Sequence, residues 1–255
     1  MDILVCILAG LGAGVGTGFA GMSAAAVISP MLITFLGMPA YDAIGIALAS
    51  DVLASAASAA SYAKNKNIDV RGGIVMMIAV LVFTVIGSWV SSLVPSSTMG
   101  GFSLVVMIVL GLRFIIKPVT SPGNLMKEGS EAKRLVFSAI AGSFVGFICG
   151  FVGAGGGMMM LMVLTSILGY ELKSAVGTSV FVMAFTALTG AVSHFAIGGM
   201  PNLLYLAVCV ISTLVFAMIS AKIANKSEPK LLNRIVGVVL LVTGVAMLLF
   251  ELLFE

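Results

Sequence analysis

The stretch FVGAGGG, Phe151 to Gly157, decides how this chain is read. It lies between two strongly apolar runs, and 132 positions earlier a weaker copy, FAGMSAA from Phe19 to Ala25, occupies the same setting. Glycine-rich backbone of this kind leaves N–H and C=O groups without helical partners. At membrane depth that is tolerated only where protein buries the break or a water-filled cavity hydrates it. Paired breaks at corresponding positions of two halves point to a transporter's binding site.

The composition around the stretch sets the class. Of 255 residues 60% are hydrophobic and only 9% charged, with a mean hydropathy of +1.23, whereas soluble domains carry about 25% charged residues. The chain reads as an all-α polytopic membrane protein, with the lipid bilayer as its solvent and no partner nucleic acid. Apolar runs continue from residue 3 to residue 253, so the reading expects no soluble domain and no cleaved signal peptide. Cys6, Cys149 and Cys209 all fall inside apolar runs, a pattern that suits packing rather than a disulfide framework or a metal site.

Ten apolar segments follow one another, at roughly 3–18, 24–37, 43–63, 73–94, 99–117, 135–150, 157–169, 175–197, 202–221 and 232–250. Most approach the roughly 20 residues that span a bilayer. The second and seventh do not, and are expected to be half-helices, re-entrant elements or broken spans. An offset of 132 without gaps lays Gly10, Gly14, Gly18, Gly21, Gly37 and Gly45 on Gly142, Gly146, Gly150, Gly153, Gly169 and Gly177. The chain is therefore read as a duplication, with a first transmembrane repeat over 1–117, a linker over 118–134 and a second repeat over 135–255. Five segments per copy give an odd number of crossings, so the two repeats are expected to be inverted.

The basic residues test that topology. All thirteen, among them Lys64, Lys66, Arg71, Lys173, Lys222 and Lys226, follow or end odd-numbered segments. The positive-inside rule places that face and the linker in the cytoplasm, and both termini outside, for a multi-pass protein of the cell (inner) membrane.

Candidate functional residues gather at the breaks. Gly10-Gly14-Gly18 and Gly142-Gly146-Gly150 make flat helix faces that let another backbone approach, which reads as helix packing, with a meeting of the two grooves at the repeat interface as the functional alternative. Gly153, Ala154, Gly155, Gly156 and Gly157 open a short helix and would present backbone N–H groups to an anion. Gly21, Met22 and Ser23 form the partner break, and Gly177, Thr178 and Ser179 supply further amides and hydroxyls. Asp51 sits well inside the third segment, where a carboxylate costs on the order of 3 kcal/mol on insertion scales. It is a candidate for coupling or gating, with hydroxyl pairing to Ser50, Ser55 or Ser58 as the plain alternative. Asp42 reads as an N-cap. His194, the only histidine, is a second coupling or gating candidate near the outer end of segment eight. The Met158-Met159-Met160 run reads as adaptable packing.

The breaks, the LGY of Leu168 to Tyr170, the SAVGTS of Ser174 to Ser179, Ser193-His194 and Gly198-Gly199 together resemble the sulfite exporter TauE/SafE family. The resemblance covers nearly the entire chain. It implies a transporter of sulfite, a sulfonate or a related organosulfur anion, with Gly153, Gly155, Gly156, Gly157, Gly177, Thr178 and Ser179 at signature positions. Ser23-Ala24-Ala25 and Ile46-Ala47 depart from the pattern in the first half, which makes the site asymmetric. The expected partners are a small anionic substrate, a proton or sodium ion for coupling, and a second copy of the chain if it dimerises; no cofactor is implied. Two other classes stay open at this point: an intramembrane serine hydrolase using Ser179 and His194, and a cation or metal permease centred on Asp51.

Overall fold

A computed structural model describes residues 2–116, 131–153 and 156–254. These form ten α-helices: α1 (Asp2–Ala20), α2 (Ala25–Leu36), α3 (Ala40–Lys64), α4 (Val70–Ser91), α5 (Ser96–Ile116), α6 (Glu131–Val152), α7 (Gly156–Met162), α8 (Leu172–Gly198), α9 (Leu203–Ala224) and α10 (Pro229–Phe254). A π-helical turn, Val163–Ile167, extends α7. Among the described residues seven helices are long and apolar enough to cross a membrane, while α2, the stretch Met107–Ile116 of α5 and the α7 element fall short. The expected linker 118–134 is helical from Glu131 onward, and its remaining residues, with Lys117, lie outside the described set.

The distribution of side chains is that of a protein dissolved in lipid. Ile78, Val82, Val85 and Trp89 on α4 and Ile211, Val215 and Ile219 on α9 are exposed. Thr17, Ser50, Asp51, Ser58, Thr84, Thr186 and Thr213 are buried. Most of these hydroxyls donate to the carbonyl four residues back, as Thr84 does to Val80 at 2.8 Å, so they cost little in an apolar interior.

Backbone geometry repeats at the offset of 132. Gly21 (φ +64°) and Gly153 (φ +73°) are left-handed, as are Gly37 (φ +60°) and Gly169 (φ +73°). L side chains rarely adopt that region, so glycine at these four turns is dictated by conformation. The glycine stripes work the same way in each half. A Cβ at Gly14 would lie 2.6 Å from the Thr213 carbonyl oxygen on α9, and a Cβ at Gly142 2.8 Å from the Met76 carbonyl oxygen on α4. This is helix packing, and the two grooves do not meet each other. Each receives a helix of the opposite half, α9 against α1 and α4 against α6, because only close backbone contact compensates apolar helices that gain nothing from leaving lipid.

Between these pairs α3 and α8 cross. A Cβ at Gly45 of α3 would sit 3.4 Å from the His194 Cβ, and one at Gly177 of α8 would sit 3.0 Å from the Tyr62 Cβ. Gly45 pairs late on α8 and Gly177 pairs late on α3, so the two helices run antiparallel. At one end of the bundle Lys173 Nζ donates to the Asn225 carbonyl at 2.9 Å, and Asn67 and Asn225 join through their amides at 3.4 Å. That end gathers the connections carrying Lys64, Lys66, Arg71, Lys222 and Lys226. At the start of α9 the Tyr205 hydroxyl donates to Asp2 at 2.7 Å. Asp42 is not an N-cap: α3 begins at Ala40 after Pro39, which places Asp42 inside the first turn.

Candidate functional site

The first break forms where Gly21 turns the chain out of α1 while its N–H still donates to Thr17 at 3.0 Å. Ser23 follows, buried, and its hydroxyl accepts the Ala25 N–H at 3.3 Å. The same hydroxyl donates to the carbonyl of Gly153 at 3.2 Å, which joins the two breaks directly. Gly153 ends α6 in the same manner, its N–H donating to Cys149 at 2.8 Å.

The contact is close on all sides. A Cβ at Gly157 would collide with the Gly21 carbonyl oxygen and lie 2.9 Å from the Ser23 nitrogen. A Cβ at Gly153 would lie 2.8 Å from Ile44 Cγ2, and one at Gly156 3.1 Å from the Cys149 sulfur. A Cβ at Gly21 would lie 2.5 Å from Ser179 Oγ. Gly21, Met22, Ser23, Gly153, Gly156, Gly157 and Ser179 therefore come together in one tightly packed junction, with Met158 and Met160 buried in the adjoining core. Ala154 and Gly155 lie outside the described residues.

Asp51 joins the junction from α3. It is fully buried, and Oδ1 accepts the Ser55 hydroxyl at 2.7 Å, whereas Oδ2 has no hydrogen-bond partner. The Ser23 side chain and the Ala24 backbone also face the carboxyl, and Cys149 of α6 lies within reach of its charge.

His194 lies about one turn before the end of α8 and is buried, with 1% exposure. Its ring stacks on Tyr41 with centroids 4.2 Å apart, Nδ1 faces the Tyr41 carbonyl at 3.3 Å and Nε2 the Gly150 carbonyl at 3.1 Å. A neutral imidazole donates from only one nitrogen, so both contacts are hydrogen bonds only when the ring is protonated. The equivalent contact in the first half was missed from sequence. Tyr62, 132 positions before His194, donates its hydroxyl to the Gly18 carbonyl at 3.3 Å, and Gly18 aligns with Gly150. The offset itself was the signal that could have found it.

Gly177 and Thr178 are not at the breaks. A Cβ at Gly177 would collide with the Asn67 carbonyl, and Thr178 Oγ1 accepts the Asp69 N–H at 3.0 Å. On a helix, neighbours in sequence point about 100° apart, so only Ser179 of the three turns toward Gly21. The segment that Gly177 and Thr178 hold, Asn67 to Asp69, borders a cavity of about 310 Å³. Asp69, Arg71, Ser138 and Tyr170 form its polar wall, with Val75, Leu135 and Leu168 as apolar lining. Asp69 caps α4 by accepting the Gly72 N–H at 3.0 Å on Oδ1, and accepts the Tyr170 hydroxyl at 2.6 Å on Oδ2.

The serine–histidine pairing fails on geometry. Ser179 donates to Val176 at 2.9 Å, both His194 nitrogens face backbone carbonyls, and α8 is unbroken between them. Among the described residues no group of three His, Cys, Asp or Glu is placed to hold a metal ion.

A family model described as sulfite exporter TauE/SafE matches residues 6–247. The chain belongs to the TauE/SafE family. Over the full length of both chains it is 27% identical to the probable membrane transporter protein YunE of Bacillus subtilis. It is 26% identical to the probable membrane transporter protein MJ0441 of Methanocaldococcus jannaschii, covering 92% of this chain and 89% of that one. No solved structure matches. This TauE/SafE protein is a multi-pass membrane transporter and not an enzyme, and its paired breaks are the part of the fold where helical backbone gives way inside the bundle.

Proposed function

We propose that this TauE/SafE protein is a secondary transporter of a small anion, sulfite, a sulfonate or a related organosulfur compound, bound at the paired breaks near the bilayer midplane. The observation that carries the reading is the Ser23–Gly153 hydrogen bond, which joins two chain breaks 130 positions apart inside an apolar helical bundle. Irregular backbone there has amides and carbonyls that hydrocarbon cannot satisfy, so its retention fits a site that opens to solute. The repeats are inverted about an axis at the α3–α8 crossing, and one half moves against the other to expose the junction alternately to each side. The face with the basic residues is cytoplasmic, and both termini are outside. In the conformation described the breaks are packed together and a cavity of about 310 Å³ lies at the basic end, which fits a closed junction with an inward vestibule.

Asp51 is the coupling residue in this reading, binding a proton or sodium ion when the junction opens. Its unpaired Oδ2 is the group that such an ion would satisfy. His194 gates the second break through the Gly150 carbonyl. Uptake of ³⁵S-labelled sulfite and sulfoacetate into proteoliposomes tests the proposal. Saturable uptake by the wild type that is lost in Gly156→Leu supports it, and equal uptake by both counts against the glycine site.

A further inference from the structure

The cavity at the basic end is not explained by the junction, because none of the residues lining it belongs to either break. At about 310 Å³ it stands at the low end of the roughly 300–1,000 Å³ typical of small-molecule sites, so it suits a compact solute. Among the described residues its wall carries one guanidinium, Arg71, exposed on the first turn of α4. Both oxygens of Asp69, the one acid among the described wall residues, are engaged, Oδ1 by the Gly72 N–H and Oδ2 by the Tyr170 hydroxyl. Asp69 is thus held in a fixed orientation while Arg71 faces the cavity, and a planar guanidinium is the side chain best shaped to take an oxyanion with two parallel hydrogen bonds. The buried hydroxyl residue Ser138 completes the polar side.

The cavity is also mechanically joined to the junction. Thr178 accepts the Asp69 N–H, and the next residue, Ser179, stands against Gly21 of the first break. Tyr170 follows the α7 element that opens at the second break, and its hydroxyl bonds Asp69 at the start of α4. One side-chain pair, Tyr170 with Asp69, therefore ties the far end of the discontinuous helix to the wall of the cavity.

We infer that this cavity is a second anion-binding site, an inward vestibule in which Arg71 takes a small sulfonate or sulfur oxyanion before it reaches the breaks, with the Tyr170–Asp69 bond as its inner latch. The inference rests on the transporter reading for its substrate class. Arg71 engages the solute, and Tyr170 and Asp69 act as positioning residues.

The test uses the full-length chain in proteoliposomes with ³⁵S-sulfoacetate and ³⁵S-sulfite presented separately to the basic face and to the opposite face. Arg71→Gln is expected to raise the half-saturating concentration about tenfold from the basic face only, with the maximal rate changed less than twofold, and Arg71→Lys to restore only part of the loss, the charge without the paired hydrogen bonds. Tyr170→Phe is expected to lower the maximal rate without that sidedness. An effect of Arg71→Gln that is equal from both faces, or absent, overturns the vestibule even if the wild type transports. If the wild type transports neither solute, the substrate reading fails and the vestibule is judged by thermal stabilisation with sodium sulfate in detergent. Stabilisation lost in Arg71→Gln then supports the site, and stabilisation equal in both proteins overturns it.

Discussion

The Ser23 hydroxyl donates to the Gly153 carbonyl at 3.2 Å, one polar contact between two breaks that the chain separates by 130 residues. Removing it leaves a buried carbonyl without that partner, at a cost of about 1 kcal/mol. Ser23→Ala is expected to lower the unfolding midpoint in detergent and to slow transport several-fold, while Ser23→Thr keeps most of both. Wild-type flux in Ser23→Ala would separate this bond from function.

Gly157 has the least room of the junction glycines, because any Cβ meets the Gly21 carbonyl. Overpacking of this kind costs about 1–3 kcal/mol. Gly157→Ala is expected to reduce transport at least tenfold while the protein still elutes as a single species in size-exclusion chromatography. Normal rates would show that the breaks separate more widely than the contact suggests.

Asp51 is the acid at the junction, faced by Ser55 on its own helix, by Ser23 and the Ala24 backbone from the first break, and by Cys149 from α6. If it carries the coupling ion, Asp51→Asn makes flux insensitive to an imposed proton or sodium gradient while exchange of solute on both sides continues. Flux that keeps the wild-type gradient dependence transfers the coupling role elsewhere.

Tyr62 and His194 hold equivalent carbonyls, those of Gly18 and Gly150. Losing the hydroxyl in Tyr62→Phe is expected to cost about 1–2 kcal/mol and leave pH dependence unchanged. Replacing the imidazole in His194→Gln is expected to alter the pH profile of transport, since only the protonated ring donates to both Tyr41 and Gly150. Identical pH profiles for His194→Gln and the wild type would reduce His194 to a structural contact.

Gly146 faces the Val80 carbonyl, whereas Gly101 has no atom within 4 Å of where a Cβ would stand. Gly146→Ala is expected to destabilise the α4–α6 pair by about 2 kcal/mol. Gly101→Ala is expected to leave stability unchanged or raise it by about 1 kcal/mol, as Ala replaces Gly in a helix. Thermal unfolding of the two variants side by side checks the contrast.

Residues close in sequence made much of this legible. Apolar run lengths located the ten segments, because a helix in lipid must satisfy its own backbone, and the glycine offset of 132 anticipated the paired left-handed turns at Gly21 and Gly153. The short second and seventh segments and the breaks beside them were read from the same local pattern. What no local pattern carries is the identity of the helix across a groove. Gly14 and Gly146 advertise a flat face, but α9 and α4 fill those faces only because the two halves interleave. Gly177, Thr178 and Ser179 sit side by side in sequence, yet rotation about α8 sends the first two to Asn67 and Asp69 and the third to Gly21. The cavity joins Arg71, Ser138 and Tyr170 from three separate segments, so it exists only once they pack. Where the backbone must break is legible along the chain, since conformation and solvation act residue by residue. The tertiary structure decided which groups face those breaks, since contact depends on the paths of all ten helices together.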